Sequence, residues 1–258
     1  MVLLQTKNLT KSFGGLTAVS DLNIKVNKGE IVGLIGPNGA GKTTVFNLIT
    51  SFFPPTKGNV IFKGEDITGL KPDKIAKKGI VRTFQLTRLF GEYSVVKNVL
   101  MAQHLRSHMN FWLEFLMPFS TRSREAALLQ HAEEILNLMG LYEKRNELAK
   151  NLPHGHQRSL GISIALSVQP ELLLLDEPTT GMNPEESKTM MQRIQNIADT
   201  GMTIVLIEHD MKVVMGLCHR IIVLNYGRKI AEGTPQEIIE NSEVIQAYLG
   251  VPDAVAKN

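Results

Sequence analysis

The chain opens with short apolar runs broken by turns. Residues 2–13 (VLLQTKNLTKSF) and 18–26 (AVSDLNIKV) read as strands, and residues 27–35 (NKGEIVGLI) as a buried strand that stops at a glycine-rich loop. TVFNLIT (44–50) has helical spacing and ends before SFFPPTKG, where two prolines forbid continuation. GNVIFKGEDIT predicts a strand with a glycine turn, KPDKIAKKG a short basic helix and IVRTFQ another strand. From Leu86 to Asn151 the period changes: VVKNVLMAQHLRSH and SREAALLQHAEEILNLMGL repeat apolar residues at helical intervals, which predicts a helical insertion. The strand pattern returns in PELLLLDEP, MTIVLIEHD and HRIIVLNYGRKI, separated by helical stretches, so an α/β core resumes after the insertion. PQEIIENSEVIQAYLG reads as a helical tail, and VPDAVAKN is expected to fray.

With 258 residues, 43% of them hydrophobic, the chain can bury one large core or a core carrying an insertion. A net charge of +3, with no zinc motif or basic stripe, gives no reason to expect nucleic acid as a partner. The single cysteine, Cys218, excludes an internal disulfide and suits a reducing compartment. The N-terminus lacks the pattern of a signal peptide, and no run approaches the roughly 18 apolar residues of a spanning helix. Membrane association is therefore expected through partners.

The strongest chemical signal is Gly36-Pro37-Asn38-Gly39-Ala40-Gly41-Lys42-Thr43, set between a predicted strand and a predicted helix. The glycines let successive N–H groups face one concavity, where backbone dipoles and the helix N-terminus bind phosphate oxygens. Lys42 is placed for the β and γ phosphates, the Thr43 hydroxyl for Mg²⁺, and Thr44 for the α phosphate. A phosphate loop alone says nucleoside triphosphate and leaves kinases, GTPases and motors open. Four leucines, Leu172 to Leu175, then run into Asp176 and Glu177, so a carboxylate pair ends a central strand where ligands bind in parallel sheets. Asp176 suits the Mg²⁺ shell, and Glu177 the attacking water. Without the loop upstream, LLLLDE equally fits a strand ending in a solvated acidic turn. A second buried strand ends at Glu208, His209 and Asp210, which puts His209 where it can hydrogen-bond the γ phosphate.

With these residues in order, the chain resembles the ATPases of ABC transporters over essentially its whole length. Within them it is most similar to the ATPases of branched-chain amino acid importers, through FGGLTAV, GIVRTFQLTRLF, VLIEHDMKVVMGLCHRIIVLNYGRKIAEGTP and VIQAYLG. The apolar segment FWLEFLMPF resembles an insertion typical of that group. The resemblance implies a P-loop NTPase (RecA-like) α/β core with an N-terminal antiparallel β subdomain and an inserted α-helical subdomain. It divides the chain into 1–86 and 158–235 for the core, 87–157 for the helical part, and 236–258 for a helical tail. It assigns Phe13 to stacking on adenine, Val19 to an apolar contact with the nucleotide, and Gln85 to Mg²⁺, water and the link to the helical subdomain. It puts Asn183, where aspartate is more usual, in a loop touching a second subunit.

The family's signature segment reads Leu152-Pro153-His154-Gly155-His156-Gln157-Arg158 here, against Leu-Ser-Tyr-Gly-Gln-Gln-Arg in close relatives. Gly155, Gln157 and Arg158 fit, whereas Pro153 removes both a hydroxyl and a backbone donor from the position of the serine. His156 replaces a glutamine and is a candidate substitute donor. The family works as a head-to-tail pair of ATPases sandwiching ATP and Mg²⁺ beneath two permease subunits, peripheral to the cytoplasmic face of the plasma (inner) membrane, with an external solute-binding protein. The altered signature leaves a weakly catalytic regulatory module as an alternative, and an export-complex ATPase is another.

Overall fold

The structure is a computed structural model that describes residues 1–83, 89–106 and 118–249. In chain order the strands and helices are β1 (Val2–Phe13), β2 (Leu16–Leu22), β3 (Lys25–Asn27), β4 (Ile31–Ile35), α1 (Lys42–Ile49), β5 (Lys57–Phe62), β6 (Glu65–Asp66), α2 (Pro72–Lys78) and β7 (Ile80–Arg82). The helices α3 (Val95–Arg106), α4 (Pro118–Leu138) and α5 (His154–Ser167) follow. The chain continues with β8 (Leu172–Asp176), α6 (Pro184–Asp199), β9 (Thr203–Ile207), α7 (Met211–Leu217), β10 (Arg220–Asn225), β11 (Arg228–Gly233), α8 (Pro235–Ile239) and α9 (Ser242–Leu249).

Two sheets result. The first is antiparallel, in the order β2-β1-β5-β6, with β3 also paired to β1. The second runs β11-β10-β4-β9-β8-β7 and is parallel except for the β10–β11 hairpin. All five residues of β4, β8 and β9 are buried, as continuous apolar runs require when both faces of a parallel sheet are covered.

The two-residue strand period divides the core between those faces. Val32, Leu34, Leu172, Leu174, Val205 and Ile207 pack on one side with Phe46 of α1. Ile31, Ile35, Leu173, Leu175, Ile204 and Leu206 pack on the other with Ile162 of α5 and Ile194 of α6. A third cluster is helical: Val95 and Val99 of α3 meet Ala132 and Leu136 of α4 and Leu160 of α5. Helix α5 thus contributes to both the sheet core and the helical layer.

Two expected strands are subdivided. AVSDLNIKV breaks between β2 and β3: Asp21, near the end of β2, takes a left-handed φ of 51°, and the Thr6 hydroxyl bridges the gap by donating to Leu22 O and accepting from Ile24 N. HRIIVLNYGRKI is a hairpin turning at Tyr226 and Gly227, both at positive φ, which matches the twist of its flanking strands. Most of the apolar segment FWLEFLMPF and the fraying tail lie outside the described residues. Among the described residues, no helix is long and apolar enough to cross a membrane.

Candidate nucleotide site

The register of the parallel sheet brings three strand ends together. Ile207 of β9 pairs with Leu34 of β4 on one side and with Asp176 of β8 on the other. The phosphate loop, the acidic pair and His209 therefore emerge along one edge, where ligands bind in open α/β sheets.

The loop conformation requires glycine at both ends. A Cβ on Gly36 (φ 147°) would meet Leu224 O at 2.1 Å, and one on Gly41 (φ 99°) would meet Ala18 O at 2.5 Å. Gly41 caps α1 without a side-chain hydrogen bond, so the first-turn amides of α1 point toward the loop concavity. Lys42 is only 6% exposed, and its Nζ donates to Gly36 O (2.7 Å) and Pro37 O (3.0 Å). Burial lowers the pKa of its ammonium below the ordinary value, opposed by the charges of Glu177 and Asp176. A cavity of about 230 Å³ is lined by residues 38–44, Ala18, Glu177 and His209.

On the acidic side, Asp176 is 6% exposed and forms an ion pair with Arg82, Nη2 to Oδ2 2.5 Å. Arg82 Nη1 also donates to Asn47 Oδ1 (2.6 Å), and its guanidinium lies 5.5 Å from the Phe46 ring centre. Glu177 adopts φ 49°, a region costly for a non-glycine residue, which turns its side chain toward the loop end of β9. Its Oε1 lies 2.5 Å from His209 Nε2, and its Oε2 accepts from the Thr180 hydroxyl (3.1 Å).

The donor set suits Mg²⁺: the Thr43 hydroxyl and the Asp176 carboxylate are hard oxygen ligands on the same side of the sheet. Among the described residues no cluster of three or more His, Cys, Asp or Glu could hold a metal, so such an ion would depend on substrate phosphates and water.

Of the remaining expected residues, those that are described do not line this cavity. Phe13 is 46% exposed at the end of β1, edge-on to Phe53 (5.2 Å between centres), with Lys11 Nζ 5.0 Å from its ring. Val19 is fully buried in the sheet core, and it is its neighbour Ala18 that lines the cavity. Gln85 lies outside the described residues. Gly155, His156 and Gln157 open α5 and do not line the cavity. Gln157 Nε2 donates to Leu152 O (2.9 Å), while burial, then Arg193 and Lys144, lower the pKa of the half-buried His156. Asn183 caps α6, accepting from Glu185 N (3.0 Å) and Glu186 N (2.9 Å) in a capping box.

The sequence does not single out Ala18 on the cavity wall or Arg82 as the partner of Asp176. The available signal for Arg82 was a charge closing an otherwise apolar strand, IVR.

The family model for ABC transporters matches residues 19–180. The chain belongs to the ABC transporter ATP-binding family. This ABC ATPase also matches the branched-chain amino acid ATP-binding cassette transporter model at residues 228–254. It is 45% identical over 249 residues to the high-affinity branched-chain amino acid transport ATP-binding protein LivG of Escherichia coli (strain K12), covering 96% of this chain and 98% of that one. Its fold is similar to the ADP conformation of MJ1267, an ATP-binding cassette of an ABC transporter, with a TM-score of 0.85 and 30% identity over 97% of this chain and 100% of that one. It is also similar to the dimeric structure of MJ0796, a bacterial ABC transporter cassette, with a TM-score of 0.74 and 25% identity over 90% and 99%. The ABC family and the P-loop fold expected from the motifs are therefore correct, and the chain is an ATPase.

Proposed function

We propose that this ABC ATPase is the ATP-hydrolysing subunit of an importer for branched-chain or related amino acids. The observation that carries the chemistry is the 2.5 Å approach of Glu177 and His209 on the wall of the cavity lined by the phosphate loop. LivG, by its name a branched-chain amino acid transport protein, supports the substrate class.

In this reading the loop amides and Lys42 hold the β and γ phosphates, while Phe13 stacks on adenine. Thr43, Asp176 and Gln85 are the residues that would hold Mg²⁺, which when bound would supply charge neutralisation on the phosphate oxygens. Glu177 accepts a proton as water attacks the γ phosphorus, and the bond to the ADP oxygen breaks. His209 orients Glu177 and contacts the γ phosphate. A second ATPase subunit, packed head to tail, brings its Gly155 and Gln157 to the same phosphate. Closure of the pair, with residues 87–157 moving as a helical subdomain, would act on two permease subunits at the cytoplasmic face of the membrane, supplied by an external binding protein.

The test is Glu177→Gln in purified protein. Hydrolysis is expected to fall by about 10²-fold or more, the contribution of a general base, while MgATP affinity stays within about twofold of wild type. Wild-type turnover in this variant removes Glu177 from the mechanism.

A further inference from the structure

Beneath the contact between Glu177 and His209 lies a carboxylate with no part in the reaction as proposed. Glu208 is 2% exposed at the end of the wholly buried β9. A carboxyl group so far from solvent is costly unless its oxygens are filled by donors. Here the donors come from two loops. Thr179 donates its backbone N–H (2.9 Å) and its hydroxyl (2.5 Å) to Oε1, and the backbone N–H of His209 donates to Oε2 (3.0 Å).

The residues tied by this carboxylate are close in sequence to the reacting pair. Thr179 is two positions beyond Glu177, and His209 is itself the second partner. Glu177 N also donates to Ile207 O at 2.9 Å, so the ends of β8 and β9 are stitched from both sides. The 2.5 Å distance between Glu177 and His209 depends on how these two chain ends sit relative to each other.

We infer that Glu208 is a positioning residue for hydrolysis: through Thr179 and the His209 amide it fixes the loop carrying Glu177 against the loop carrying His209. Glu208 itself does not line the cavity. The inference rests on the role proposed for Glu177, and it adds a dependence that the phosphate loop does not share. Glutamine at 208 keeps the volume and one acceptor but turns an amide N–H₂ toward either His209 N–H or the Thr179 donors, so one side of the clasp opens. A shift of about 1 Å in a reacting group can cost about 10²-fold in rate.

The experiment compares Glu208→Gln, Thr179→Val and His209→Ala, singly and as the double variant Glu208→Gln/His209→Ala, for kcat and for MgATP affinity. Glu208→Gln is expected to lower kcat at least tenfold with MgATP affinity within about twofold, and Thr179→Val to lower it by a smaller factor in the same direction. In the His209→Ala background the Glu208→Gln change should cost little more, because the partner it positions is gone. Full multiplicative loss in the double variant overturns the inference, as does unchanged kcat in folded Glu208→Gln protein or a parallel loss of nucleotide affinity. If Glu208→Gln does not fold, unchanged kcat in Thr179→Val overturns it instead. Hydrolysis by the wild-type protein is the control: its absence overturns the functional reading, whereas active wild type with unchanged kcat in the variants sinks only the clasp.

Discussion

His156 stands where close relatives carry glutamine, in surroundings that disfavour its protonated form. Burial is the largest influence and the charges of Arg193 and Lys144 add to it, so its pKa is lowered from 6.5. The unfolded chain therefore takes up this proton more readily than the folded one. The stability contributed by the neutral ring is complete above the unfolded pKa and is lost as pH falls through the lowered folded value. Between about pH 7 and 5, the denaturation midpoint of the wild type should fall more steeply than that of His156→Gln, measured by urea titration at each pH. Parallel pH profiles would count against this account. The same scale shows what single residues disclose in the sequence. Lys42, Asp176 and Glu177 are legible because their motif fixes both spacing and flanking elements. Val19 and Ala18 are not, because the β1–β2 pairing shifts register between Leu9 and Lys11 and again before Ser12, so counting along the strand does not say which side chain faces out.

Between elements, the ion pair of Arg82 with Asp176 fastens β7 to β8 at the mouth of the site. Both side chains are buried, and removal of one partner leaves the other charge without compensation, a loss of about 3–5 kcal/mol. Arg82→Leu is expected to lower the thermal midpoint of the nucleotide-free protein. MgATP should raise that midpoint more in the variant than in the wild type, because bound Mg²⁺ offers Asp176 a replacement countercharge. An equal MgATP shift in both proteins would show that Asp176 does not exchange Arg82 for the metal. The strands themselves were readable from their unbroken apolar runs, and the helical insertion from its changed period. The ion pair was not, since 94 positions separate its members and nothing local marks them as neighbours. Nor does a run of leucines reveal that β9 lies between β4 and β8, because a parallel crossover can return to any free edge.

For the molecule as a whole, the cavity is lined by the phosphate loop and its neighbours, while the segment that opens α5 lies elsewhere on the same chain. The head-to-tail partner proposed above would bring that segment, Pro153 included, to the phosphates. Pro153 occupies the N-cap of α5, exposed and without a side-chain cap, at the place of the family's serine. Serine would supply both a helix cap and a hydroxyl donor for a phosphate oxygen. A hydrogen bond to a charged group contributes about 1.5–3 kcal/mol, which is roughly a tenfold or greater change in an equilibrium constant, and a symmetric pair gains it twice. Pro153→Ser in the Glu177→Gln background should therefore tighten MgATP-dependent dimerisation by at least about tenfold, read by sedimentation at several protein concentrations. Without nucleotide the substitution should leave self-association unchanged, because no phosphate is present to receive the new donor. Tightening that appears equally with and without MgATP would assign the effect to the helix cap alone, and no tightening at all would argue against a seam in which α5 meets the opposite phosphate loop.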